Sequence, residues 1–438
     1  MGSSQFTRRS FLKGAGVVAA VATGPTAFVR TARAQGKTLK IAQWTHFVPA
    51  FDDWFDKKFT KEWGEKNGVH VTVDHISVND LRARAAAEVG ARKGHDLFGF
   101  LDPPPAYEDQ VHSMNDVVSE LEKKFGKAIN LVQRATFNPR TKNYFALSDN
   151  WVPDPLHYRL DWWGEVGVKP DSWDHVREGA RKIKEKMGHP AGFGISQELD
   201  TNMMLRGLLW SFGAQEQDES STKVAINSKA TVEAIKLMTA VYKESMTNEV
   251  FTWDPSGNNR FFVSGKGSII QNAISAIRTA EKQNPDLAKK MGLAPPAAGP
   301  KTRMGSEHLL HCYVVWKFAE NPDLAKKFII DLVASYNDAF LASEFYNFPS
   351  FPKSVTDLRG KLAADKFNAQ QYLILADAEK WSAYPGYPGH TTAAIDEVFN
   401  TFVIPNMFAR VAKGEQSAED SAKQAEAEMQ RIFAKWGK

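Results

Sequence analysis

The chain of 438 residues contains a single cysteine, Cys312. One cysteine cannot form a disulfide within the chain, and it cannot supply the several thiolates of an iron–sulfur cluster or a cysteine-ligated zinc site. Because Cys312 lies well inside the chain, it is also not placed to carry an N-terminal lipid anchor. The cysteine content therefore argues against a disulfide scaffold, a lipoprotein and a cluster-containing redox enzyme.

The sequence also lacks a long apolar run. The best candidate, residues 14–29, is broken by Gly24 and Pro25 and falls short of the roughly 20 residues that span a bilayer. No later stretch is apolar for long enough. We therefore expect no membrane-spanning helix.

Motifs of common enzyme classes are missing as well. The sequence contains no H-E-x-x-H and no G-x-S-x-G, and Gly265-Lys266-Gly267 lacks the other residues of a phosphate-binding loop. The histidines show no metal-ligand spacing. We expect no enzymatic activity, no cofactor and no metal, although a glycosidase stays open as an alternative. Its two carboxyl groups need a separation of roughly 5–10 Å that depends on the tertiary structure.

The net charge of +4 comes from the first 34 residues. These hold five basic residues and no acidic one, and without them the net charge of the chain is −1. The basic residues are Arg8, Arg9, Lys13, Arg30 and Arg33. A nearly neutral remainder gives no electrostatic reason to expect a nucleic-acid partner.

Residues 7–13, TRRSFLK, resemble the twin-arginine export signal S/T-R-R-x-F-L-K at nearly every position. The weakly apolar residues 14–29 follow, and then Ala32-Arg33-Ala34, an A-x-A site that predicts cleavage after Ala34. The resemblance implies passage through the twin-arginine export machinery. We therefore expect a periplasmic protein that is not lipid-anchored.

A chain of this length usually forms more than one core, so two lobes are expected. Alternating strands at 39–44, 69–76 and 96–101 are separated by helical segments in the first lobe. This order predicts a parallel sheet with helices on its faces, an α/β fold. Ligands of such sheets bind beyond the carboxyl ends of the strands, where Trp44–Phe47 and Asp102–Tyr107 lie.

The stretch Lys142–Val176 contains Pro153 and Pro155, which exclude a central helix and favour an extended passage. Its pattern, Y-F-A-L-S-D-N followed by L-H-Y-R-L-D-W-W and V-K-P-D-S-W-D, resembles the hinge-crossing segment of the extracellular solute-binding proteins of ABC sugar importers, the family of maltose-binding protein. Residues 265–272, GKGSIIQN, resemble the strand of that family that ends at the ligand cleft.

The resemblance covers essentially the whole chain after the signal. It implies a type II periplasmic-binding-protein fold, in which hinge-crossing strands join two α/β lobes around a ligand cleft and a helical region follows. The predicted organisation is a signal at 1–34, lobe 1 at 35–150 plus 301–346, and lobe 2 at 151–300 plus 347–438, with crossings near 148–156, 291–300 and 346–352.

Sugar binding requires aromatic rings that stack on C–H faces and polar side chains that bind hydroxyl groups. Several stretches combine both types at predicted strand ends or loops, although a single aromatic residue more often packs in a core. Trp381 and the Gly/Pro-rich loop after it suggest an exposed aromatic platform, whereas Trp210 is assigned to the core. The candidate ligand-binding residues are Trp44, His46, Phe100, Asp102, Asn150, Trp151, Trp253, Asp254, Asn258, Arg260, Asn272, Trp381, Tyr384 and Tyr387.

The resemblance implies a periplasmic binding protein that captures a sugar, an oligosaccharide or a polyol and delivers it to the permease of an ABC importer. We expect it to act as a monomer. Two alternatives stay open: a periplasmic carbohydrate-processing enzyme, and a binding protein for a non-sugar solute such as a phosphodiester or a small peptide.

Export is expected to depend on the arginine pair. Replacing Arg8 and Arg9 by lysine should leave uncleaved precursor in the cytoplasm, because the apolar region is too weak for the general secretory route. Fractionation and immunoblotting of the double variant test this. Processed protein in the periplasm would refute the assignment of the signal.

Overall fold

Parallel strands begin the described chain and alternate with helices, as the sequence predicts. The computed structural model describes residues 36–437. The predicted signal, including the cleavage site after Ala34, lies outside these residues. Among the described residues, no helix combines the length and the apolar character that crossing a membrane requires.

The described residues form twelve strands. These are β1 (Lys37–Trp44), β2 (Val69–Ile76), β3 (Leu97–Phe100), β4 (Phe137–Asn138), β5 (Asn143–Tyr144), β6 (Leu147–Pro153), β7 (Leu156–Arg159), β8 (Ile269–Gln271), β9 (Met291–Ala294), β10 (Gly305–Val315), β11 (Phe348–Pro349) and β12 (Ser382–Ala383).

Nineteen α-helices occur in the same part of the chain. These are α1 (Pro49–Trp54), α2 (Thr60–Asn67), α3 (Leu81–Ala91), α4 (Asn115–Phe125), α5 (Asn130–Thr136), α6 (Leu160–Glu165), α7 (Trp173–Met187), α8 (Leu199–Phe212), α9 (Lys229–Ser245), α10 (Gly257–Val263), α11 (Ser275–Gln283), α12 (Pro285–Ala288), α13 (Pro322–Ala334), α14 (Tyr336–Ala342), α15 (Leu358–Ala363), α16 (Ala369–Tyr372), α17 (Ala393–Asn400), α18 (Val403–Ala412) and α19 (Ala418–Trp436). Short 3-10 helices occur at Pro105–Gln110, Asn248–Phe251, Pro352–Ser354 and Leu373–Lys380, and a π-helical turn joins α1 to α2 at Phe55–Phe59.

Two sheets organise the fold. The large sheet has the order β11-β6-β10-β3-β1-β2, with β12 paired to β10, and the small sheet has the order β8-β7-β9. In the large sheet β1 is parallel to β2 and β3, whereas β10 is antiparallel to β3 and β6. The chain passes from the large to the small sheet at Asp154-Pro155, between β6 and β7, and returns between β9 and β10. The predicted third crossing contains β11, which pairs with β6 in the large sheet.

The buried apolar residues form two clusters. Core 1 surrounds the large sheet and draws residues from 39–152, 261–293 and 309–384. Core 2 draws residues from 156–250 and 398–429, together with Ile269 and Ala297. The existence of two cores agrees with the expectation of two lobes, whereas the lobe boundaries at 150, 300 and 346 stay a prediction.

The sequence predicts a short strand at 191–196 and a single helix at 391–413, and both predictions are wrong. Residues 191–196 do not form a sheet strand: Gly192 makes one isolated bridge to Ile270, and Ile195 N–H donates to the carbonyl of Val250 outside any strand. Residues 391–413 contain two helices, α17 and α18. Phe402 adopts a left-handed backbone conformation (φ 56°) between them, and Pro405 lies in the first turn of α18, where proline is tolerated.

A buried network around Arg206 and Asn202 of α8 contacts α17. Arg206 and Glu216 are both fully buried, and the guanidinium donates to the two carboxylate oxygens over 2.8 and 3.0 Å. The guanidinium carbon also lies 4.8 Å from the ring centroid of Phe399 in α17. Asn202 adds a bond from its side-chain amide to the carbonyl of Phe399, over 2.8 Å. This network sets the position of α17, whose neighbouring residues face the cavity described below.

Glu216→Ala should lower the free energy of unfolding by about 3–5 kcal/mol, because it leaves the buried guanidinium of Arg206 without a counter-charge. The double variant Arg206→Met/Glu216→Leu should lose much less stability than this, since two apolar side chains replace the pair. Urea denaturation of both variants measures the difference. A cost below about 1 kcal/mol for Glu216→Ala would contradict the assigned role.

Candidate functional site

A cavity of about 670 Å³ lies between elements packed on core 1 and elements packed on core 2. Its lining combines aromatic rings with carboxylates and amides, and it includes one guanidinium. The lining includes Arg82, Phe100, Asp102, Tyr107, Glu198, Trp253, Asp254, Asp396, Glu397, Asn400 and Trp436.

The large sheet supplies one side of the cavity. Strand β3 ends at Phe100, and Asp102 follows two residues later, so both side chains lie at the carboxyl end of a parallel strand, where α/β folds bind their ligands. Helix α3 contributes Arg82, and the 3-10 turn after β3 contributes Tyr107. The rings of Phe100 and Tyr107 lie 5.6 Å apart. These four residues place a charged pair beside two aromatic rings.

Elements packed on core 2 supply the other side. Glu198 is the N-cap of α8, where its carboxylate accepts the backbone N–H groups of Asp200 and Thr201. Trp253 precedes α10 and packs against both cores, and its ring lies 5.2 Å from that of Phe261. Further lining residues come from α17 and from the last turn of α19. The cavity thus joins the two halves of the fold.

One guanidinium connects the two sides electrostatically. Arg82 Nη2 contacts Asp102 Oδ2 on the large-sheet side and lies 3.0 Å from Asp396 Oδ1 of α17 on the other. Asp396 also accepts the backbone N–H of Ala106 over 3.3 Å. Burial raises the pKa of Asp396 to about 6, although the charge of Arg82 acts in the opposite direction. Two carboxylates therefore share one guanidinium at the cavity wall.

The same cavity holds another carboxyl group whose ionisation is disfavoured. Glu198 is 6% exposed, and burial together with the charge of Asp200 raises the pKa of its carboxyl group. The acidic lining is therefore less charged than the number of carboxyl groups suggests. A protonated carboxyl group can both donate a hydrogen bond to a hydroxyl group of a neutral solute and accept one from it.

The cavity brings together four of the residues predicted from the sequence: Phe100, Asp102, Trp253 and Asp254. Of these, Asp254 is exposed and pairs over 2.9 Å with Arg260, another predicted residue, which is 62% exposed. Arg260 itself is not among the lining residues.

Two other predicted residues, Asn258 and Asn272, belong to a buried polar cluster near the crossing between the sheets. Their side-chain amides donate to Asp200 Oδ2 over 2.9 and 3.0 Å. His308 lies between Asp200 and Asp154, with its ring nitrogens 3.5 and 3.1 Å from the two carboxylates. Burial alone would lower the pKa of His308, but the two carboxylates raise it. The cluster links β10, the first crossing and the start of α8.

Trp44 is the last residue of β1, and His46 follows the strand, as predicted, but both side chains are buried. The ring of His46 is tilted against that of Trp44, with centroids 4.5 Å apart, and lies edge-to-face with that of Tyr346 at 5.0 Å. Its Nε2 lies 3.0 Å from Asn347 Oδ1. Burial lowers the pKa of His46 to about 3. A neutral, packed imidazole at this position supports the segment that leads into strand β11.

Asn150 and Trp151 lie within β6 and are also buried. The amide of Asn150 donates to Asp149 over 2.9 Å, and the ring of Trp151 packs 5.8 Å from Phe348 of β11. Both side chains therefore hold the extended crossing in place.

The structure places the predicted aromatic platform in the interior, contrary to the expectation that its rings are exposed. Trp381 is 5% and Tyr384 is 2% exposed, and Tyr387 is half-buried with its ring 5.8 Å from Trp210. Arg134 donates to the hydroxyl of Tyr384 over 2.7 Å. A Gly/Pro-rich loop suggests exposure only when nothing packs over it, and here core 1 covers the loop.

Sequence reasoning missed Arg82, Asp396 and Trp436. Arg82 and Asp396 occur on helices that carry many charged residues. No local sequence pattern distinguishes a charged side chain that pairs with a residue far away in the sequence from one that faces solvent. One sequence signal could have identified Arg82. Helix α3 follows β2, so it starts at the carboxyl edge of the parallel strands, where Asp102 also lies.

Comparison with known proteins identifies a protein family and an export signal. The model of the family described as bacterial extracellular solute-binding protein matches residues 49–344, and that of the twin-arginine translocation signal matches residues 5–25. A binding protein of Brucella abortus is 24% identical over 176 residues, which cover 39% of this chain and 42% of that protein. An ABC transporter-binding protein of Deinococcus radiodurans is 24% identical over 34% of this chain and 38% of its own. The matches thus span less than half the length of these curated relatives.

Solved structures share the fold over most of the chain. An oligosaccharide periplasmic-binding protein from Synechococcus, solved with zinc, has a TM-score of 0.77 at 17% identity and covers 90% of this chain and 99% of its own. Maltose-bound MalE3 of T. maritima has a TM-score of 0.75 at 19% identity, with coverages of 90% and 99%. A solute-binding protein of Agrobacterium radiobacter in complex with ribitol has a TM-score of 0.70 at 15% identity, with coverages of 91% and 99%.

These likenesses establish the two-lobe α/β fold of periplasmic binding proteins. The twin-arginine match and the extracellular family together imply export to the periplasm. Since the family model covers more than half of the 438 residues, this chain belongs to the bacterial extracellular solute-binding proteins.

Proposed function

We propose that this protein binds a sugar, an oligosaccharide or a polyol in the cavity and delivers it to the permease of an ABC importer. The observation that carries the proposal is the lining of the cavity, where aromatic rings and hydrogen-bonding groups from both halves of the fold meet. Its volume of about 670 Å³ is within the range of small-molecule sites.

The chemistry of the lining suits a neutral, hydroxyl-rich solute. Tyr107 and Trp253 offer apolar faces for C–H groups, and Asp102 and Arg82 offer an acceptor and donors in fixed orientation. Carboxylates outnumber the guanidinium in the lining, which disfavours an anionic ligand such as a sugar phosphate. This balance supports a carbohydrate over the phosphodiester alternative.

Closure of the two lobes on the ligand is part of the proposal. The Arg82–Asp396 pair bridges the two sides of the cavity, and a bound solute would add further contacts between them. A ligand shifts the equilibrium between open and closed forms only by its differential affinity for them. A solute that touches both walls has that differential affinity, and the permease would recognise the closed form.

The direct experiment is titration of the purified protein with a panel of neutral mono-, di- and trisaccharides and polyols. Heat of binding and tryptophan fluorescence report capture, and chromatography of the same samples reports product. Binding without product supports the proposal, whereas conversion of a saccharide would favour the enzyme alternative. A panel in which nothing binds would refute the carbohydrate assignment.

Trp253→Ala should weaken sugar binding by about 1.5–3 kcal/mol, or roughly 10- to 150-fold in Kd, because it removes an apolar face of the cavity. Trp381→Ala is the matched comparison: its ring is buried in core 1, so it should lower the free energy of unfolding by about 3–5 kcal/mol instead. Calorimetric titration and urea denaturation of both variants separate the two effects. Unchanged affinity in folded Trp253→Ala would count against this cavity as the binding site.

The raised pKa of Asp396 predicts a pH effect on stability. A carboxyl group with a higher pKa in the folded protein contributes stability that is fully present below its ordinary pKa of 3.8 and is lost as the pH rises through about 6. The free energy of unfolding of Asp396→Asn, relative to wild type, should therefore rise by up to about 3 kcal/mol between about pH 4 and about pH 7.

Denaturation series at several pH values measure this difference. Asp338→Asn, which removes an exposed carboxylate outside the cavity, is the control for the loss of a carboxylate. A constant difference for Asp396→Asn would mean that folding does not raise the pKa of Asp396.

A further inference from the structure

Trp436, in the last turn of α19, has an environment unlike that of the other tryptophans. Ten of the twelve tryptophans lie in or pack against core 1 or core 2. Trp210 and Trp436 belong to neither cluster, and Trp210 is nevertheless buried, at 2% exposure. Trp436 is half-buried, and it lines the cavity. Packing of an apolar core therefore does not account for this ring.

Polar contacts hold the ring at the cavity. Trp436 Nε1 donates to Glu397 Oε2 over 2.6 Å, and Lys435 Nζ lies 2.6 Å from the same oxygen. Glu397 is itself a lining residue, on α17. Lys435 Nζ also lies 5.2 Å from the centroid of the Trp436 ring. The ring edge and the ammonium group thus fix one carboxylate oxygen of Glu397, and the carboxylate in turn fixes the ring.

The rest of α19 gives this arrangement a rigid base. Ala418, Ala422, Ala425 and Met429 of α19 are buried in core 2, and Phe433 packs against it. The backbone N–H of Gly437 bonds to the carbonyl of Phe433 over 2.9 Å, so the last turn is closed. A ring on a rigid helix loses little conformational entropy when a ligand binds.

We propose that Trp436 is a ligand-contacting residue that stacks on a sugar ring in the cavity, and that it positions Glu397 to accept a hydrogen bond from the same sugar. The inference rests on the proposed function and extends it to a residue pair that sequence patterns did not indicate. A flat indole face beside an oriented carboxylate matches one pyranose unit, which presents C–H groups on its face and hydroxyl groups at its edge. A linear polyol has no such face, so the pair favours cyclic sugars over polyols.

The test compares Trp436→Ala and Trp436→Phe with Trp162→Ala. Trp162 is also half-buried but stacks on His189, with ring centroids 3.6 Å apart, and it does not line the cavity. Calorimetric titration of each protein uses neutral cyclic saccharides and ribitol as probes, and thermal melts report folding.

For a cyclic saccharide that binds wild type, Trp436→Ala should raise Kd about tenfold or more, and Trp162→Ala should leave it within about twofold. Trp436→Phe keeps an apolar face and should recover part of the loss. The effect of Trp436→Ala on ribitol, if wild type binds it, should be smaller than its effect on the cyclic sugar.

Equal Kd values for wild type and folded Trp436→Ala would overturn this inference and leave the proposed function intact. Equal losses for a cyclic sugar and for ribitol would overturn the stacking role. Should Trp436→Ala fail to fold, an unchanged Kd in Trp436→Phe together with an unchanged Kd in Glu397→Gln would overturn it as well. A wild-type protein that binds no member of the panel refutes the proposed function and this inference with it.

Discussion

The ion pairs of Arg82 connect the two halves of this molecule across its cavity. The guanidinium contacts Asp102 at the end of β3 and Asp396 on α17, so one side chain touches both walls. Neither carboxylate could be buried there at low cost without that cation, because burial disfavours the charged form. Helix α17 is held in turn through Phe399, which contacts Asn202 and the buried guanidinium of Arg206, and Glu216 pairs with that guanidinium. The two walls of the cavity are therefore joined by the ion pairs of Arg82 with Asp102 and Asp396.

The aromatic residues of the cavity come from structurally separate places. Phe100 and Tyr107 follow a parallel strand, Trp253 precedes a short helix, and Trp436 ends the last helix of the described chain. Each is fixed by its own element, so the shape of the cavity is set by how cores 1 and 2 meet. Replacing a few of these side chains can therefore change the ligand specificity while the fold stays the same.

Much of the fold could be predicted from the sequence because its signals are local. Alternating strands and intervening helices indicated the parallel start of the large sheet, and Pro153 and Pro155 indicated the extended crossing that β6 and β7 form at 147–159. The site was predicted less well. Asp102 and Trp253 were found because strand ends and loops near the cleft are informative, whereas Arg82 and Asp396 meet only in the tertiary structure. Trp381 was misjudged as exposed because its loop composition does not reveal that core 1 covers it.

Closure of the two halves on a solute in the cavity is measured most directly by a distance between them. Spin labels at Ala87→Cys on α3 and Arg431→Cys on α19 place one label on each side at exposed positions, while the native Cys312 is buried. Pulsed dipolar spectroscopy should show a broader, longer distance distribution without ligand and a shorter, narrower one with a saturating sugar. An identical distribution in both states, at saturation verified by calorimetry, would contradict closure on the ligand.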